Sequence, residues 1–194
     1  MKTGIKRRTL LCCLLAGASM AAAAAEPSSY TIDSRHTLAT FEINHLGFST
    51  QRGRFNRASG KIVLQPAQNS GSIEVSIDSA SIDMGVDTWD KIMRGEDFFS
   101  VEKFPVMTYK SSKILFDGEK VIGAEGEFTL RGVTKPLRLE VRSFNCGINA
   151  YNRKPLCGAD VTATIKRSEF GMTKYLPGIG DDVFIEIPVE AFKD

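Results

Sequence analysis

Three observations predict an all-β chain folded as an antiparallel barrel of about eight strands with a short helical plug. Apolar and polar residues alternate with period two over most of the sequence after residue 26, the pattern of strands with one buried face. Clusters of Gly, Pro, Asn and Asp divide these runs into lengths that a strand can use. Only one short segment breaks the alternation with helical spacing.

In chain order, Ala39, Phe41, Ile43 and His45 share one face, with Thr40, Glu42 and Asn44 on the other. A weaker run covers Lys61 to Leu64, and after the turn Pro66 to Gly71 the inward set is Ile73, Val75 and Ile77. Asp87 to Arg94 reads as a helix capped by Asp87, with Trp89, Ile92 and Met93 on its apolar side. Phe98 to Val101 reads as a second turn, and Trp89, Phe98 and Phe99 as core beneath the plug, with ligand gating as the alternative reading. Met107, Tyr109 and Ser111 alternate next, up to a turn at Asp117-Gly118, followed by Phe128 and Leu130. A turn at Arg131 to Lys135 leads to Leu137, Leu139 and Val141. A hairpin from Cys146 to Cys157 leads to Val161, Ala163 and Ile165. The turn Pro177 to Asp181 precedes Val183, Ile185, Ile187 and Val189. One apolar face per strand allows a sandwich or a barrel. Several strands are long and one helical segment is free to plug an end, which favours the barrel.

The first 25 residues read as a secretory signal peptide. Lys2, Lys6, Arg7 and Arg8 precede an apolar run too short to span a bilayer, and five alanines, Ala21 to Ala25, offer a cleavage site just before Glu26. The expected location is the periplasm, by the general or the twin-arginine route, with residues 26–194 as one domain. Without the signal, 21 basic residues face 23 acidic ones, so the net charge moves from +2 to −2. No basic block remains to follow a phosphate backbone, which argues against nucleic acid and against tight binding to an anionic membrane surface. Stable membrane insertion is not expected either. In an oxidising compartment Cys146 and Cys157 are expected to form a disulfide; a metal pair and a redox pair are the alternatives.

Catalytic chemistry has little to stand on. There is no Gly-x-Ser-x-Gly elbow, no Walker loop and no His-Glu-x-x-His pair, and Asp83, Asp87 and Asp90 lack calcium-loop spacing. No catalytic residue, metal ligand or resident cofactor is therefore expected. His45, on an inward face, has three readings: a core histidine bonded to backbone, a polar contact to a ligand headgroup, or a catalytic or metal-binding group. His36 reads as a turn residue, and Arg52 and Arg54 as either a barrel mouth or a solvated strand face.

Several segments together resemble the YceI family. They are Tyr30 to His36, Phe41 to Thr50 with Arg52 to Phe55, Asp97-Phe98-Phe99 with Lys103-Phe104-Pro105, Leu130 to Pro136, and Arg167 to Met172. They stand in the family's order and cover almost all of residues 26–194. The resemblance implies an extended lipocalin-like antiparallel barrel whose apolar tunnel holds a long amphiphile, an isoprenoid lipid of quinone or polyprenyl type. It also implies frequent export, a link to stress responses in some members, and a bridge in the cysteine-bearing branch. Asp33-Ser34-Arg35-His36 replaces the family's common Asp-Pro-x-His turn, and Met172 to Leu176 departs from its glycine-rich forms.

The candidate ligand-binding residues are Phe41, Ile43, His45, Ile77, Met107, Tyr109, Phe128, Leu130, Leu139 and Ile185. Each methylene of an apolar tail costs about 0.8 kcal/mol in water, so a dry barrel suffices to hold one. Two rivals compete with a carrier. One is an enzyme using His45 on an apolar substrate. The other is a solidly packed structural protein docking a membrane redox partner or a second copy; a homodimer is compatible with the fold but not specified by any residue.

Overall fold

The computed structural model describes residues 26–194, so the expected signal peptide over 1–25 lies outside the described residues. The chain builds one antiparallel sheet of eleven strands. They are β1 (Ser28–Ile32), β2 (Ala39–His45), β3 (Ser49–Phe55), β4 (Ala58–Gln65), β5 (Ser70–Asp78), β6 (Ile82–Asp83), β7 (Val106–Asp117), β8 (Lys120–Leu130), β9 (Val133–Ile148), β10 (Pro155–Lys166) and β11 (Ile179–Lys193). One helix, α1 (Asp87–Arg94), follows β6. Eight strands close a ring in the order β1-β4-β5-β7-β8-β9-β10-β11, with β11 returning to β1.

Closure depends on the length of β11. One edge pairs with β10 from Lys166↔Asp182 to Leu156↔Phe192. The other edge is shared: β1 takes one end, with Tyr30 opposite Lys193, and β2 takes the other, with His45 opposite Ile179. The β2–β3 hairpin and the two-residue β6 therefore extend the sheet beyond the ring. The alternation placed β2, β5 and β7 to β11. It passed over β1, β3 and β6, whose short runs include exposed polar residues on alternating or near-edge positions.

Turns are tighter than the sequence implies. The β8–β9 connection is Arg131 and Gly132 alone, at φ +51° and +74°, and Val133 already belongs to β9. Left-handed values at both central residues match the right-handed strand twist in two-residue hairpins. A Cβ at position 132 would also lie 2.9 Å from the Phe104 ring. In β7 the parity slips. Lys113 N–H donates to Ser111 Oγ at 3.0 Å, and that hydroxyl donates to the Glu125 carbonyl at 2.6 Å. This irregularity moves the next inward position from Lys113 to Ile114.

The helix begins as expected, but Asp87 does not cap it. Val86 holds the cap position in extended conformation, and no side chain caps the helix. Asp87, one residue further in, favours the positive end of the helix dipole only through space. Asp90 instead turns back to accept from Met84 N–H at 2.7 Å. Gly95 leaves the helix in extended conformation, and the chain from 96 to 99 forms irregular turns rather than more helix.

Cys146 and Cys157 are bridged. They sit directly opposite each other in the β9–β10 register, with Cα atoms 4.1 Å apart, at the base of the hairpin. With a sequence separation of 11 between partners, replacing both by alanine is expected to cost roughly 2–3 kcal/mol, read as a lowered urea midpoint.

The turn after β1 is fastened by a carboxylate. Asp33, with a nearly buried side chain, accepts from the Arg35 guanidinium at 3.1 and 3.0 Å, from His36 Nδ1 at 2.9 Å and from Arg35 N–H at 3.1 Å. The Arg35 hydrogen bonds are the main reason that its carboxyl is held well below the ordinary carboxylate range. A pKa depressed by folding contributes stability above the unfolded value, about 3.9, and loses it as pH falls below that. Asp33→Asn is therefore expected to flatten the fall in stability between about pH 4 and pH 2. Urea melts at the two ends of that window would measure it, and an unchanged slope would exclude Asp33 as its source.

Candidate functional site: an apolar cavity through the barrel

The inward residues do not fill the barrel. They surround a cavity of about 470 Å³, within the range of ligand pockets, about 300–1,000 Å³. All ten residues singled out in the sequence lie on its wall: Phe41, Ile43 and His45 from β2, Ile77 from β5, Met107 and Tyr109 from β7, Phe128 and Leu130 from β8, Leu139 from β9 and Ile185 from β11. Along β11 the lining runs from Ile179 to Ala191. Twelve residue steps of strand measure roughly 40 Å, the length of wall that β11 supplies.

Aromatic rings shape this wall. Phe55 stands between Phe41, 6.0 Å away, and Phe99, at 5.1 Å and edge-on. Phe128 meets Phe170 edge-on at 5.7 Å. Tyr109 lies over the neighbouring strands, its hydroxyl shared between the carbonyls of Leu137 on β9 at 3.2 Å and Ala124 on β8 at 3.3 Å. Burial pushes its pKa up to about 12, so it stays a neutral donor. Met84, Met93, Met107 and Met172 add flexible thioethers to the lining, which adapt to irregular apolar guests.

At the end where Ile179 pairs with His45 the cavity reaches the surface. Trp89 and Ile92 of α1 line it while remaining 42% and 52% exposed, and Tyr175 does the same from the segment before β11. The expectation of Trp89 as core beneath a plug is thus wrong. No residue of α1 is buried, because its apolar side faces an opening instead of packed side chains. Phe98 is buried as expected and Phe99 packs on Phe55. Arg52 and Arg54 lie on the solvated face of β3, paired with Glu42 at 2.7 Å and Asp83 at 2.9 Å. His36 serves its turn through Asp33.

Among the lining residues that the sequence reading did not single out, one is charged. Arg167, 3% exposed, follows β10 in a single 3-10 turn. Its guanidinium donates to the carbonyls of Met172 (2.6 Å), Gly180 (2.8 Å), Lys174 (2.9 Å) and Ile179 (3.0 Å). Burial pulls its pKa below the ordinary arginine value, yet arginine stays protonated in proteins. The signal was available: Val161, Ala163 and Ile165 point inward, and the same parity continued for one step turns Arg167 inward too. Among the described residues no group of three or more His, Cys, Asp or Glu is arranged to hold a metal, and no helix is long and apolar enough to cross a membrane.

Comparison with known proteins agrees with this architecture. The YceI-like domain matches residues 30–191. A UPF0312 protein of Shewanella putrefaciens is 30% identical over 190 residues, 96% of this chain and 99% of its own. Among solved structures, Burkholderia cenocepacia BcnA superposes with a TM-score of 0.70 at 23% identity, covering 82% of this chain and 98% of its own. A polyisoprenoid binding domain from Saccharophagus degradans, implicated in plant cell wall breakdown, gives 0.63 at 15% identity, covering 85% and 98%. Those two likenesses speak for the fold. The domain match and the Shewanella relative, each spanning nearly all the described residues, make this chain a member of the YceI-like family.

Proposed function

We propose that this chain is an exported, periplasmic binding or carrier protein for a long amphiphilic isoprenoid lipid of quinone or polyprenyl type, acting without chemistry. The observation that carries the proposal is the cavity itself: about 470 Å³ and walled almost wholly by apolar side chains. Such a space gains affinity from burying apolar area and needs few polar contacts. Further support comes from the Saccharophagus neighbour of the same fold, a polyisoprenoid binding domain. The signal-like sequence of residues 1–25 and the bridged cysteines favour an oxidising location. A packed, ligand-free scaffold sits poorly with the cavity. An enzyme sits poorly with His45, whose ring has no partner among the described residues to orient it as base or acid.

The test is native mass spectrometry with lipid extraction on protein purified from its own host. The expected result is a co-purified lipid of uniform class, and the same spectra read monomer against dimer. Trp89, the single tryptophan of the sequence, stands at the opening, so its fluorescence is expected to change as stripped protein is reloaded. Repeated recovery of protein that neither carries nor takes up an isoprenoid would overturn the reading.

A further inference from the structure

Apolar character continues outside the cavity at its open end. Six large apolar residues stay exposed there: Leu46 and Phe48 in the β2–β3 turn, Val86, Trp89 and Ile92 on and just before α1, and Tyr175 before β11. Contacts bring the three segments together. Leu46 N–H donates to the Gly178 carbonyl at 2.8 Å, and Ile179 N–H to that of Tyr175 at 2.9 Å. Trp89, Ile92 and Tyr175 share the cavity wall with His45, the residue before Leu46. Two more exposed residues, Val106 and Val133, start strands at the same end of the ring. Among the described residues, only Ile122, Ile148 and Tyr151 of this kind stand toward the other end, so the exposed apolar residues gather at the opening.

The backbone holds part of this collar in unusual conformations. Leu46 and Tyr175 stand at φ +57° and +64°, left-handed values that glycine and asparagine adopt more easily. The other non-glycine residues at positive φ, Asn69, Ser100, Arg131 and Arg153, are all polar or charged. Such outliers gather where a chain binds something. The collar is also electrically balanced. Leu46 to Thr50 carries no ionisable group, and the two acids and two bases of α1 cancel. Lys174 pairs with Asp97 at 3.4 Å.

We propose that this collar is a docking surface for a zwitterionic phospholipid bilayer, on which the protein sits with its opening down and Phe48 and Leu46 in the interface. The choice of a bilayer over another protein rests on the carrier reading. Collar and cavity wall are continuous through Trp89, Ile92 and Tyr175, so an apolar tail passes between bilayer and barrel without being exposed to water. Trp and Tyr favour the headgroup level of a bilayer. A surface without net charge fits headgroups without net charge, and attraction comes from apolar area alone. Attachment is therefore reversible and shallow, in keeping with a chain that has no basic block.

The experiment mixes the full mature protein with sedimenting vesicles of phosphatidylcholine, alone or with added phosphatidylglycerol. Binding to phosphatidylcholine is expected, changing less than twofold between low and high salt. Leu46→Ser combined with Phe48→Ser is expected to weaken it about tenfold or more. Phe48→Ser alone, at a side chain 89% exposed whose loss leaves the fold intact, is expected to weaken it at least threefold. Neither residue lines the cavity, so both variants should keep their lipid load. Binding that needs phosphatidylglycerol and disappears in high salt overturns the proposal, as does binding that the double variant retains in full. A dimer that Phe48→Ser dissolves, without vesicle binding, overturns it in favour of a second copy of this chain. Isoprenoid uptake without vesicle binding overturns the docking surface and leaves the carrier reading intact. Vesicle binding lost in both variants, with no isoprenoid uptake, supports the docking surface and overturns the carrier reading.

Discussion

Replacing Arg167 by methionine is expected to lower the stability of the protein by about 3–5 kcal/mol. The guanidinium holds the carbonyls of Met172, Lys174, Ile179 and Gly180 from one point, tying the segment before β11 to the end of β10. Methionine has similar reach and no donor. A buried carbonyl left without its partner costs roughly 1–3 kcal/mol, and water reaches only part of this segment, around the exposed Lys174 and Tyr175. The loss should appear in the urea midpoint with little change in slope. Amide exchange should quicken first at Ile179 and Gly180, where β11 meets β2. Arg167→Lys keeps the charge but offers three donors from a single nitrogen instead of a planar fork, so it is expected to recover less than half. A loss below about 1 kcal/mol for the methionine variant would mean that solvent already serves those carbonyls, and that Arg167 is not what fixes the cavity's opening.

The second large effect is expected at Gly126, in the middle of β8. Parity puts this residue on the inward face between Ala124 and Phe128, opposite Leu137. A Cβ there would lie 2.8 Å from both the Tyr109 ring and Ser111 Cβ, and closer still to the Lys110 carbonyl oxygen. Alanine favours a strand over glycine by about 0.5–1 kcal/mol. Here that gain is outweighed, since the obstructing atoms include the backbone of β7 and a ring held by two carbonyl bonds. Overpacking of this kind costs typically 1–3 kcal/mol or more, so Gly126→Ala is expected to destabilise by about 2 kcal/mol. It should also displace Tyr109. Pairing the change with Tyr109→Leu, which frees the space over position 126, is expected to give a double variant more stable than the two separate losses would sum to. Simple additivity would show that the clash is with the strand alone.

These two residues mark where sequence reasoning stops. Alternation of side chains is a local property of an extended backbone, so it assigned the inward faces of β2, β5, the first half of β7, β8, β9, β10 and β11, and with them the ten candidate residues, without knowledge of any partner strand. It failed within β7, where the irregularity at Ser111 follows from pairing with Glu125 on β8 and leaves no trace in the spacing of apolar residues. It also misjudged Trp89, because an amphipathic helix announces an apolar side without saying whether side chains, solvent or a guest will meet it.

Residue type and short-range order were enough for the all-β class, most inward residues and the family resemblance, and they made a disulfide the leading reading of Cys146 and Cys157. Only the packing of distant segments makes the barrel hollow, opens it beside Trp89 and Tyr175, and brings to that end the charge of Arg167, which has no ion-pair partner among the described residues. The space enclosed depends on how eight strands close and on the summed volumes of side chains brought together from distant parts of the chain, a quantity that no local pattern contains.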